Sequence, residues 1–146
     1  MTAPRLTLIQ CLAAYAVVLV VMGALDGLWL GWLASAFYKQ ELGPLMTDSV
    51  RVVPAALYYL LYPAAIVYLA LMPASTFGAA LLRSAVLGQT AFGVYDLTNL
   101  ATVRGYSATM TVVDMAWGSF ASALGGAAAF HLIVGRGRRL KVSAPR

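Results

Sequence analysis

The sequence predicts an all-α integral membrane protein, a bundle of four transmembrane helices with a short amphipathic first loop. Composition comes first: 62% of the 146 residues are hydrophobic and the mean hydropathy is +0.82, far above a soluble globular chain. Charge is the second observation, because only five Asp or Glu and ten Lys or Arg occur in the whole chain, mostly outside the apolar runs. The third is the length of those runs, each sufficient to cross about 30 Å of hydrocarbon. Lipid offers no partner to backbone polar groups, so the runs must be helices.

The expected spans are 7–33, 52–72, 79–103 and 108–134, followed by a basic tail at 135–146, all within one transmembrane domain, 1–146. Arg5 before the first run, and Ala34-Ser35-Ala36 after it, have the outline of a cleavable signal. The run is about twice the length of a signal's apolar core and carries Asp26, so it reads as a retained span. Lys39, Glu41, Asp48 and Arg51 separate it from the second span, where Pro54 suits the first turn and Pro63 favours a kink. A break at Pro73 to Phe77 precedes the third run, which contains Arg83, and Arg104-Gly105 precedes the fourth. Short connections make neighbouring spans antiparallel.

Arg136, Arg138, Arg139, Lys141 and Arg146 account for much of the net charge of +5. A short tail after an apolar helix is a juxtamembrane anchor rather than a nucleic-acid surface, and no nucleic-acid partner is expected. Arg5, Arg83 and the tail fall on one side, against Lys39, Arg51 and Arg104 on the other. Positive-inside logic therefore expects a multi-pass protein with both termini cytoplasmic. Cys11 is the only cysteine, which excludes an internal disulfide and any site built on several thiolates. In the first loop, Tyr38, Leu42, Leu45 and Met46 recur at helical spacing opposite Lys39, Gln40, Glu41 and Asp48, with Gly43-Pro44 as a bend.

Ionisable groups inside spans are costly and point to function by default. Asp26, Asp96 and Asp114 belong to spans one, three and four, each six or seven residues from the outer end. At about 1.5 Å rise per residue they share one depth, roughly 10 Å below the outer interface. Each has a polar or amphipathic residue at i+3: Trp29, Asn99 and Trp117. Gly23, Gly27 and Gly31, and likewise Gly118, Ser122 and Gly126, form small-residue stripes expected to face the bundle. Gln89, Phe92, Asp96 and Asn99 make a polar stripe on span three, and Tyr58, Tyr59 and Tyr62 supply hydroxyls from span two.

These positions nominate Asp96 and Asp114 as a catalytic, proton-transferring pair, with Asp26, Trp29, Tyr58, Tyr62, Gln89, Tyr95, Asn99 and Trp117 as ligand-binding residues. The structural alternative has the acids bridging helices through Trp, Tyr or Asn, with Arg51 or Arg104 reaching inward to neutralise one. His131 lies near the opposite end of its span, so no metal site is expected, and the sequence names no cofactor and no known catalytic motif.

Phe37-Tyr38, Leu42-Gly43-Pro44-Leu45-Met46, Tyr95-Asp96-Leu97-Thr98-Asn99-Leu100-Ala101-Thr102 and Asp114-Met115-Ala116-Trp117-Gly118 resemble a family of small bacterial integral membrane proteins classed as a domain of unknown function. The resemblance spans nearly the whole chain and implies an inner-membrane location, with no activity attached. The residues themselves lead to an acidic intramembrane pocket near the outer leaflet that binds or modifies a membrane lipid or small amphiphile. Alternatives are a small proton- or cation-coupled transporter, similar in plan only to the small multidrug transporters, which work as homodimers, and a structural or assembly subunit.

Overall fold

A computed structural model describes residues 6–135, all of them helix, turn or loop. Four helices are long and apolar enough to cross a membrane: α1 (Leu8–Leu33), α3 (Val52–Leu71), α4 (Phe77–Thr102) and α5 (Ala108–Val134). Between α1 and α3 lies the short helix α2 (Ser35–Leu42). The protein is an all-α membrane bundle. The expected basic tail lies outside the described residues.

Helix starts follow from capping chemistry. Thr7 and Gln10 form a reciprocal capping box before α1, and Thr76 and Ser107 accept the N–H groups of Ala79 and Met110 at the starts of α4 and α5. Pro54 occupies the first turn of α3 without a missing bond, because the N–H it lacks has no acceptor there. Pro63 lies inside α3, and wide π-helical turns follow from Ile66 to Leu71. Similar turns close α1 at Trp29–Leu33 and α5 at Phe130–Val134.

The helix α5 is central and packs on both α4 and α1. Its small residues Gly118, Ala121, Ser122, Gly125 and Gly126 are all buried. The stripe Ala14, Val18, Met22 of α1 joins Ile66, Ala70 and Leu71 of α3 and Ala121, Phe130 and Val134 of α5 in the main apolar core. A side chain added at Gly125 would sit 3.2 Å from Met22 Cγ, which places the α1 stripe directly against α5.

Two sequence expectations are corrected by this packing. Gly23, Gly27 and Gly31 do not line the bundle: a Cβ at any of them meets nothing within 4 Å. The buried row of α1 is Ala14, Val18, Met22 and Asp26, and each glycine sits one position further on, about 100° around the helix. Gln89 is likewise exposed, because the inward face of α4 runs through Ala80, Ser84, Gly88, Gly93 and Asp96. Gly118, Ser122 and Gly126 do face inward.

The first loop folds back over one end of the bundle. Ala34 and Tyr38 pack with Met110 in a second small core, flanked by Trp29, Phe37, Leu42 and Tyr106. The chain then turns through Gly43–Leu45, where Gly43 has φ of +44°. That left-handed geometry is open to glycine and strained for other residues.

Candidate intramembrane acid site

Each of the three acids arrives from a different helix, and each is met by neutral donors. Asp26 is 4% exposed and accepts from Trp117 Nε1 at 2.9 Å, Tyr59 Oη at 3.1 Å and Tyr58 Oη at 3.5 Å. Asp114 accepts a hydrogen bond from the Tyr38 hydroxyl, which in turn takes the indole N–H of Trp29 at 3.3 Å. Asp96 is fully buried and accepts from Tyr106 Oη at 2.9 Å through Oδ1. Its other oxygen, Oδ2, is buried and receives no donor among the described residues, the adjoining carboxyl of Asp114 apart.

The acids form one cluster. The carboxyl groups of Asp96 and Asp114 are direct neighbours, and Asp26 acts electrostatically on Asp114. Tyr38 feels both Asp114 and Asp96, while Tyr58 feels both Asp26 and Asp114. Among the described residues no cation contributes to the surroundings of any of the three. Arg51 and Arg104 are exposed, so neither reaches inward to neutralise an acid.

The indoles serve the acids in a crossed pattern. Trp29 and Trp117 stack with ring centroids 4.4 Å apart and planes 7° from parallel. Trp117 donates to Asp26 of α1 rather than to Asp114 of its own helix, and Trp29 reaches Asp114 only through Tyr38. Residues at i and i+3 share a face, but long side chains reach outward and meet the neighbouring helix. Trp29 and Trp117, two of the three i+3 residues, thus each reach toward the acid of the other helix.

Other nominated residues fall at graded distances from this cluster. Tyr62 stacks on Tyr58 and shares a 2.8 Å hydrogen bond with Ser122, one layer below the acids. Asn99 is half-buried and engages the turn after α4 through its backbone carbonyl, which accepts from Val103 N. Tyr95 has an exposed ring, with its hydroxyl beside Tyr106. Gln89 does not belong to the site. His131 is exposed and, at about 1.5 Å per residue, some 25 Å along α5 from Asp114.

Sequence reasoning passed over two of the residues that complete the site. Tyr38 read as part of an apolar loop face, yet its hydroxyl is the donor to Asp114. A tyrosine on such a face, with an apolar body and polar tip, was the available signal. Tyr106 reaches back to Asp96 across the turn between α4 and α5, where Gly105 has φ of +80°, and no spacing rule announces that return. Burial, and then the hydrogen bond to Asp114, push the Tyr38 phenol above the ordinary phenol range. Burial and the bond to Asp96 do the same for Tyr106. Both phenols stay neutral donors at physiological pH.

The loop helix is held at two points, by Tyr38 on Asp114 and by Ser107 donating to Glu41. Replacing Tyr38 with phenylalanine removes one of them while keeping the ring in its apolar seat. We expect faster amide hydrogen exchange across residues 35–45 in Tyr38→Phe, with exchange in α4 and α5 unchanged. A uniform rise over the whole chain would mean that the contact supports the bundle rather than the loop.

The fold and site define a four-span membrane protein with a cluster of acids sheltered among tyrosines and tryptophans under its first loop. Residues 11–131 match the family described as Predicted membrane protein (DUF2177), and the chain belongs to that family. No curated protein matches the chain. No solved structure matches it either.

Proposed function

We propose that this protein binds a lipid or other small amphiphile at the Asp96–Asp114 pair, and that these two carboxyl groups transfer a proton if the ligand is chemically modified. One observation carries the reading: α2 packs over one end of the bundle and plants Tyr38 on Asp114, the kind of cover that suits a polar site entered from the headgroup region. A purely structural role would be served by acids whose oxygens are all hydrogen-bonded, as those of Asp26 are. Asp96 Oδ2 stands outside that pattern.

Asp96→Asn preserves shape and removes the charge. Native mass spectrometry of the purified protein should show an amphiphile retained by the wild type and reduced severalfold in Asp96→Asn. Equal, nonspecific lipid in both proteins would remove the basis for the proposal.

A second reading, a small proton- or cation-coupled transporter, is favoured by the same orphaned oxygen, since two adjoining carboxyl groups without a counter-charge can take up a proton or cation. Proton flux into liposomes that depends on substrate and vanishes in Asp96→Asn would place it first.

Charge in the sequence supports an orientation with both termini cytoplasmic, because Arg5, Arg83 and the tail outnumber Lys39, Arg51 and Arg104, and the family resemblance supports an inner-membrane location. Under that topology a cysteine at Ser49, in a Cys11→Ala background, is labelled by an impermeant maleimide in intact cells, and one at Ser75 is not. The reverse pattern inverts the assignment.

A further inference from the structure

Building on the amphiphile reading above, we infer that the site selects a protonated primary amine: its ligand carries an ammonium group that sits between Asp96 and Asp114. Three features specify this chemistry. The first is charge without compensation: among the described residues no lysine, arginine or histidine acts on the two neighbouring carboxyl groups, which belong to spanning helices. The second is the acceptor: Asp96 Oδ2 is buried and receives no donor among the described residues, the adjoining Asp114 carboxyl apart, while Tyr38 and Tyr106 are already committed as donors to Asp114 Oδ1 and Asp96 Oδ1. An acceptor of that kind is completed by an N–H donor, which a primary ammonium supplies and a quaternary ammonium does not.

The third feature is the wall. The Trp29 and Trp117 rings stack beside Tyr38, offering π-faces that attract an organic cation in a desolvated site. A metal ion fits less well. Asp96 and Asp114 contribute two carboxyl groups, and among the described residues no group of three His, Cys, Asp or Glu is arranged to hold a metal.

Competition in native mass spectrometry tests the inference, with dodecylamine, dodecyltrimethylammonium, dodecanol and butylamine as probes. We expect one dodecylamine bound per protein, on the order of tenfold tighter than dodecyltrimethylammonium, as one charge-assisted hydrogen bond to a buried oxygen implies. Dodecanol should not compete, and Asp96→Asn should lose the preference. If Asp96→Asn does not fold, Asp114→Asn removes half of the same charge pair and should weaken dodecylamine binding in the same direction.

Equal affinity for amine and trimethylammonium, undiminished binding by the folded Asp→Asn variant, or no binding of dodecylamine each overturns the assignment. Should butylamine bind as tightly as dodecylamine, the ammonium class stands and the amphiphile reading falls. If a native amphiphile is retained in an Asp96-dependent way while dodecylamine is not bound, the amphiphile reading stands and the ammonium class falls.

Discussion

Gly88→Ala should destabilise the bundle by about 3 kcal/mol, at the upper end of what overpacking costs in a close-packed interior. A Cβ at this position would lie 2.3 Å from Gly118 O, 2.5 Å from Ser122 Oγ and 2.8 Å from Gly118 C. Two of those three atoms are backbone, so no rotamer change relieves the contact and α4 must move away from α5. The crossing is tight from the other side too, since a Cβ at Gly118 would fall 2.2 Å from the Phe92 ring. Ser119 Oγ donating to Ala85 O at 3.1 Å ties the same pair of helices and would be stretched by the displacement.

In lipid the helices gain little from hydrophobicity alone, and close approach of small residues is much of what holds them together. Helix propensity returns at most about 1 kcal/mol of the loss, because alanine is the better helix former. Gly27→Ala is the control: with nothing within 4 Å of its Cβ it should be neutral or slightly stabilising. Thermal unfolding in detergent, followed by circular dichroism, compares the two. A Gly88→Ala midpoint at or above that of Gly27→Ala would mean that the α4–α5 crossing is looser than its geometry.

This contrast also marks what the sequence could reveal. Spans were legible because hydrophobic length is a one-dimensional property, and Leu8–Leu33 and Ala108–Val134 sit within a residue or so of where the apolar runs place them. Helix faces were harder. The glycines at 23, 27 and 31 have the spacing of a packing stripe, yet the acid and the large apolar residues of the adjacent row, Val18, Met22 and Asp26, took the inward position. Four-residue spacing specifies a stripe but leaves open which neighbour it meets. On α4 the same ambiguity put Gln89 in the site, and only the crossing at Gly88 fixes the rotation that excludes it.

For the acids, cost alone gave the answer: an aspartate in lipid must turn inward, and Asp26, Asp96 and Asp114 all find donors. The identity of those donors depended on long-range contacts between residues as far apart as Asp26 and Trp117. No local pattern encodes such pairings.

Asp26→Ala is expected to cost about 2 to 4 kcal/mol, because it strands three half-buried donors at once, each worth roughly 1 to 3 kcal/mol unpaired but less where membrane surroundings offer substitutes. The indole N–H of Trp117 points at Asp26 Oδ1 and cannot swing out to the interface while its ring is stacked on Trp29. Tyr59 and Tyr58 converge on Oδ2, and Tyr58 is itself packed against Tyr62 and Phe92. Asp26→Asn keeps one carbonyl oxygen for Trp117 and presents an amide N–H₂ to hydroxyls that can accept as well as donate. It should therefore lose less than half as much stability as the alanine variant. The difference separates hydrogen bonding from charge: if the bundle needed only an acceptor, asparagine would suffice, and if it needed the negative charge, asparagine and alanine would fall together. Thermal midpoints of the three proteins in one detergent, with Trp fluorescence reporting the Trp29–Trp117 stack, decide between these. Matching midpoints for wild type and Asp26→Ala would show that the three donors find other partners, and Asp26 would lose its place as the structural anchor beside the Asp96–Asp114 pair.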